Sequence, residues 1–590
     1  MKTFSLPRII PARKINNRAT FTAFVLVAWL INTAQAADYF VPQTNDARPI
    51  TEQLINAIQA AELTPAEADT IYISAGNYTF TDFNNDDAGY NALPTITTEI
   101  KLKGDNAQNT IIERDRSAST PIFRLLHVAA TGKLTIEGLT LTGGSTTCKG
   151  DSRCTLFNFP ADTGGAIFVA AALDDNSQPV QGELNVIDSI LTNNYSENCG
   201  GAVRNDGGIV HIERSIISKN STDYVIDGAG IYNDAHYSSK NDGENSKTTL
   251  IRGTTTVVDS AFIGNVAGGK GAAIFNENGY LSIDRSSILG NWTRFYGGGI
   301  GNGYGTIDIN NSTIYGNYSG HRGGGIYGTD SSELTTDPKD SVITINNSTI
   351  AGNTAEKNSG DGLAGGGGIA VEFGSIEIRN SIVSGNSAPV GVDCRVNRSS
   401  AKLISYGNNI ISNSSGCEDI TVQGNNDLYQ NPFLDACVSS DQPGRAHLPL
   451  RSISPAENAA NGLSCTDKDQ LGRTRDICDI GAVEYNASGT PSGFTELCDT
   501  ATAEYYYELF PEEEENNNTE ETPTETDNDV EQTQSGDENQ SGATEEINQA
   551  QISAPPASGG GGNGFWLVLP LSLFTLHRMR KRTRSASINT

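Results

Sequence analysis

Through the middle of the chain aliphatic side chains recur two positions apart, as at Leu281 and Ile283, Ile307 and Ile309, and Ile343 and Ile345, with polar residues around them. That is the alternation of a half-buried strand, and no 3.6-residue period competes with it. The strands belong to a repeat. Seven segments end in the same way, at Asn194, Asn220, Asn265, Asn291, Asn317, Asn353 and Asn386. Five positions before each Asn stands a serine (Ser189, Ser215, Ser260, Ser286, Ser312, Ser348, Ser381), and an aliphatic or Phe side chain stands three and eight positions before it. Successive Asn residues are 26, 45, 26, 26, 36 and 33 apart, so the unit is 26 residues and the longer gaps hold insertions. A second motif, Gly-Gly-Ala/Gly-Ile, ends at Ile167, Val203, Ile231, Ile274, Ile300, Ile326 and Ile369.

Short strands at a 26-residue period, broken by Gly-Asn turns, predict a solenoid in which one unit is one coil. The expected fold is all-β: a right-handed parallel β-helix over 70–424, roughly a dozen coils and about 60 Å long. Inward Asn and Ser would stack in columns and bond their counterparts one coil away. The segment LINAIQAAE, within the cap region 37–69, reads as a short amphipathic helix over the open end.

The ends carry different information. Residues 1–36 hold five Lys or Arg, no acid, the run FTAFVLVAWLI and then Ala34-Gln35-Ala36, the order of a secretory signal cut between Ala36 and Ala37. Residues 488–557 are acidic and poor in apolar side chains, the composition of a disordered stalk. Residues 558–590 have a glycine run, about a dozen mostly apolar residues and a basic cluster, which suits a transient membrane stop rather than a permanent span. The formal charge of -30 argues against nucleic acid as a partner. In an exported chain, Cys148 with Cys154, Cys394 with Cys417, and Cys465 with Cys478 are candidate local disulfides, and nine cysteines leave at least one thiol over.

The alternating motifs over about 160–390 resemble the repeats of polymorphic outer membrane proteins and bacterial right-handed β-helix proteins. From Asn431 onward the chain resembles the choice-of-anchor Q domain, through Ser454 to Ala459, Asp469 to Arg475 and Cys478 to Tyr485. That resemblance implies a C-terminal cap over 425–487. The final segment resembles the GlyGly-CTERM signal. Together these resemblances imply a Gram-negative cell surface or the extracellular space, reached by Sec and type II secretion, with a rhomboid-family sorting protease as a processing partner.

For chemistry, the equal spacing around Asn265, Asn291 and Asn317 permits alignment of equivalent loop positions. One place after the Asn come Val266, Trp292 and Tyr318; three after, Gly268, Arg294 and Gly320; five after, Lys270, Tyr296 and Arg322. If the loops are extended, these rows face one way and form a basic, aromatic patch on a very acidic protein. Aromatic faces stack on sugars and guanidinium groups bind carboxylates, so the patch is expected to take an acidic polysaccharide or a surface glycan. The plainer alternative is that the aromatics pack on each other and the cations offset neighbouring acids. The N-T-D, D-D, H-G and R-I-K set of polygalacturonases and the W-I-D-H pattern of pectate lyases are both absent. Non-catalytic adhesion or binding is therefore favoured; a polysaccharide lyase or glycoside hydrolase on the same fold is the alternative, and a passive surface protein a third. No cofactor is implied, and Asn84 to Gly89 suggests structural calcium only by its acidity. His127 and His211 read as structural.

Overall fold

The structure, a computed structural model, describes residues 36–43, 45–65, 68–147, 159–223, 226–242, 245–329, 341–356, 364–417, 420–439, 442–485 and Cys498. The signal segment before Ala36, the tail, the acidic stretch apart from Cys498, and Cys148 and Cys154 lie outside these residues.

The central coils each visit four sheets. A central coil runs through Tyr280–Asp284, Ser287–Leu289, Trp292–Thr293 and Ile300–Gly303 before re-entering the first sheet at Thr306–Asn310. Pairing that is parallel throughout, except where Pro179–Gln181 and Asn245–Arg252 join antiparallel, stacks the strands into sheets of 13, 11, 7 and 11 among the described residues. The chain is a right-handed parallel β-helix. The first sheet runs from Asp38–Val41 to Ile420–Val422, and its twelve steps correspond to about 58 Å at ~4.8 Å each. Its first strand lies within the region read as a cap. Beside it the helix Ile50–Ala61 buries Leu54, Ala57, Ile58 and Ala61, one face at helical spacing, against the first coils.

The 26-residue repeat works through its corners. The Asn291 side chain, fully buried, donates to Asn317 Oδ1 at 2.9 Å and to the Phe262 carbonyl at 3.1 Å. Its Oδ1 accepts from the backbone N and Nδ2 of Asn265, at 3.0 and 2.9 Å. The same pattern links Asn194, Asn220, Asn265, Asn317, Asn353 and Asn386. The serines form a second column, in which the Ser286 hydroxyl donates to the Asp284 carbonyl and accepts from the Ser260 amide. Just before the Asn the chain turns through a left-handed residue, Gly290 at φ 54° for example, where a side chain would be strained. A third column, Asn205, Asn233, Asn276 and Asn302, lies inside the corner between the fourth and first sheets. The 45-residue spacing after Asn220 contains a hairpin, Ile231–Asp242 with Asn245–Arg252.

The far end of the core is filled by the Cys394–Cys417 disulfide, both residues at most 2% exposed. The segment expected as a cap begins on the last coil, where Asp427 accepts from Ser405 and Asn409, and then runs back along the second sheet. Asn461 accepts from Asn380, Gln470 reaches Ser286, Ser287 and Thr313, and Arg475 reaches Asn311. The reason is apolar cover: the outward positions Ala261, Leu289, Ile382 and Ile410 of the second sheet pack against Ala446, Leu450, Ala456 and Ile480. The residues that carry the anchor-domain resemblance hold this segment together. Buried Asp469 accepts from the amides of Leu471, Arg473 and Glu484, and the Arg475 guanidinium pairs with Glu484 and donates to the Gly481 and Ala482 carbonyls. Cys465 pairs with Cys478. Cys437 pairs with Cys498, a link absent from the expected set, which fastens a residue of the acidic stretch beside Ala261 and Leu289.

Candidate functional site

The loop between the third and fourth sheets carries the residues singled out from the repeat. Lys270, Tyr296, Arg322 and Gly365 form consecutive parallel bridges, so the row five places after the Asn is in axial register. The row one place after it belongs to the third sheet, where Trp292 pairs with Tyr318 and their rings stack at 5.4 Å and 9°. The loop is not extended. It turns at Arg294 and Phe295, whose side chains are half-buried, so the two rows front different sheets.

The cations are engaged within the protein. Arg322 is 4% exposed; its guanidinium lies 2.6 Å from Glu372 and 5.3 Å from the Tyr296 ring centroid. Glu372 also accepts from Arg398 at 3.0 Å and from the Tyr327 hydroxyl. Lys270 Nζ lies 3.8 Å from Asp227 and 5.2 Å from the Phe275 centroid. Trp292 is 8% exposed. The expectation of Lys270, Trp292, Arg294, Tyr296, Tyr318 and Arg322 as one open strip is corrected accordingly: a long cation beside a carboxylate one or two coils away pairs with it, and an indole beside a phenol ring packs on it. Tyr296 also stacks on Tyr327, at 4.9 Å and 18°.

Two further rows, missed from the sequence, stand on the outer face of the fourth sheet. The strand register aligns Phe168, Arg204, Tyr232, Phe275, Gly301 and Tyr327. Two places further on come Ala170, Asp206, Asp234, Glu277 and Gly303. Counting one and three places past the aliphatic of the Gly-Gly-Ala/Gly-Ile motif reads both rows directly; counting from the Asn does not, because loop length varies between the two motifs. The aromatics of the first row are buried, and a Cβ at Gly301 would lie 2.7 Å from the Phe275 ring.

The polar groups here form one network. Arg204 lies 2.8 Å from Asp234, 3.3 Å from Asp206 and 4.3 Å from the Tyr232 ring centroid. His236, on the hairpin, meets Asp206 at 2.8 Å. Burial raises the Glu277 carboxyl to about 7, with Asp227 adding to it, while the Tyr232 hydroxyl donates to it. Burial likewise raises Asp234 to about 6 against the pull of Arg204. Burial also disfavours the charged Asp206, but the hydrogen bond to His236 and the Arg204 charge outweigh it and hold that carboxyl low. Burial pushes the Cys199 thiol, the free cysteine among the described residues, well up, which disfavours its thiolate.

His127 is packed on Phe168 and driven by burial to about 4, and His447 Nδ1 donates to the Arg445 carbonyl, 2.8 Å away. The Asn84 to Gly89 loop closes on itself, with Thr95 donating to Asp87 and Asn91 to Asn85. Among the described residues no three His, Cys, Asp or Glu side chains gather as a metal site.

No family model matches the chain, and no curated protein matches its sequence. Among solved structures it is similar to a pectate lyase, at 14% identity and a TM-score of 0.39, covering 77% of this chain and 98% of that one. It is also similar to the A-module of a mannuronan C-5 epimerase from Azotobacter vinelandii, at 14% identity and a TM-score of 0.30, covering 67% and 94%.

Proposed function

We propose that this chain is an exported β-helix protein of a Gram-negative cell surface that binds a polysaccharide without cleaving it. The observation that carries the reading is the axial register of the loop row Lys270, Tyr296 and Arg322 beside the outer face of the fourth sheet, because equivalent groups repeated coil by coil suit a linear polymer. Arg322 is buried against Glu372, so the groups this row offers a polymer are the partly exposed Tyr296 and Lys270, and an acidic polysaccharide has to compete with Asp227 for Lys270. The disulfides Cys394–Cys417, Cys437–Cys498 and Cys465–Cys478 support passage through an oxidising compartment. In this reading the anchor-domain, repeat and GlyGly-CTERM resemblances describe a protein delivered by Sec and type II secretion and trimmed by a rhomboid-family protease.

A second reading has a specific support. Glu277, protonated near neutrality, and Asp206, ionised, stand on the same outward row with pKa values pushed apart, the condition for acid and base roles in cleavage of a glycosidic chain. Incubating the secreted chain with acidic and neutral polysaccharides, and measuring retention and chain length together, decides between them. Retention with unchanged chain length supports binding; shortening that disappears in Glu277→Gln supports catalysis; no retention on any member removes the binding proposal.

A further inference from the structure

The start of the first strand meets a buried carboxylate. Asp69 is 1% exposed, on the first residue of the second strand of the first sheet. One of its oxygens accepts from the backbone nitrogen of Ala37 at 2.7 Å, and the other from the Thr64 hydroxyl. The Ala37 carbonyl in turn accepts from the Thr70 amide at 3.1 Å, so Ala37 is held on both sides. Among the described residues no Lys, Arg or His comes within ion-pair distance of Asp69, and the donors that face it are neutral. A carboxylate so buried is stable only when a cation or several donors face it.

Independently, the Ala34-Gln35-Ala36 order places the expected signal cut at the peptide bond between Ala36 and Ala37. Hydrolysis of that bond adds water, leaves a carboxylate on Ala36 and frees an α-ammonium on Ala37. The atom that lies 2.7 Å from Asp69 is the one that gains the charge.

We infer that Asp69 is a socket for the α-ammonium group created by signal cleavage, so that processing itself completes the N-terminal end of the β-helix. In the uncut chain Ala37 offers one neutral N–H. In the cut chain it offers a charged donor, and the hydrogen bond becomes charge-assisted and stronger. The N-terminal strand Asp38–Val41 and the helix that covers it are then seated firmly only after export. The partner is the chain's own new terminus, and the reaction that must precede it is an endoproteolytic cut after a small residue. The inference rests on the signal-cleavage part of the proposed function, and the experiment separates the two.

Mass spectrometry of the secreted full chain reads its first residue, and acylation of the α-amine at about pH 8 reads its protection. The expected result is a chain that begins at Ala37, with an α-amine acylated at least about tenfold more slowly than that of a chain carrying a few additional N-terminal residues. A first residue other than Ala37 overturns both the cleavage reading and the socket. A chain that begins at Ala37 but reacts at the exposed rate overturns the socket alone. Asp69→Asn is expected to restore fast acylation. Should that variant fail to fold, hydrogen exchange at the Thr70 amide on the wild-type chain, before and after reductive dimethylation of the terminus, tests the same contact: faster exchange after modification supports the socket, and unchanged exchange refutes it.

Discussion

Replacing Arg322 by Met removes the cation against which Glu372 is built. Glu372 is 7% exposed, and its oxygens face Arg322 at 2.6 Å, Arg398 at 3.0 Å and the Tyr327 hydroxyl. Breaking a buried pair costs about 3–5 kcal/mol, because the remaining charge is left uncompensated. Arg398 is about half exposed but still reaches Glu372, which puts Arg322→Met at the lower end, roughly 3 kcal/mol. Glu372→Gln costs a similar amount by removing the carboxylate charge that faces buried Arg322. The double variant strands neither charge, so its loss should fall short of the sum of the single losses by ~2–3 kcal/mol. Coil arrays open locally, so the assay is hydrogen exchange at the strands Ile326–Thr329 and Ile369–Val371, with urea melts as a second readout. Strictly additive losses would refute the reasoning. The same proteins applied to a polysaccharide column show what Arg322 does: retention by the stable double variant marks an internal role, and lost retention marks a ligand contact.

Three further outcomes are expected. Asn291→Ala leaves the Asn265 amide and one Asn265 side-chain hydrogen without their acceptor, a loss of about 3–5 kcal/mol in local stability; exchange at the Asn265 amide should accelerate at least ~100-fold, against a much smaller effect for Ser286→Ala. The folded Glu277 carboxyl titrates near 7 and the unfolded one near 4.5, so between those values the native state holds the extra proton and stability falls as pH rises. The drop is at most about 3 kcal/mol, and a pH series of urea melts should lose that slope in Glu277→Gln. Gln470→Ala removes donors to Ser287 Oγ and the Gly444 and Ala446 carbonyls; limited proteolysis should then cut the 442–485 segment while the coils stay intact, and uniform resistance would show that the segment is held elsewhere.

The ladder residues were legible because they are local and repeated. Ser286 and Asn291 sit at corners that every coil must turn, so their spacing is visible wherever the chain is read. Lys270, Tyr296 and Arg322 were placed in the correct axial row for the same reason, since those three coils are of equal length. Their chemistry was not legible. Glu372, the partner of Arg322, lies past insertions that break the 26-residue count, and Asp227 precedes Lys270 across a hairpin. The row from Arg204 to Tyr327 was hidden by the choice of origin, because the loop before the second motif varies in length while the strand after it does not.

Sequence by itself determined the coil: strand alternation, corner polarity and the helix at one end follow from local geometry repeated many times. Tertiary structure decided which outward groups neutralise one another, where the segment after Asn425 lies, and that Cys437 joins Cys498 and Ala37 meets Asp69. These are contacts between residues far apart in the chain, and their energies depend on distance and burial, which a one-dimensional pattern does not carry.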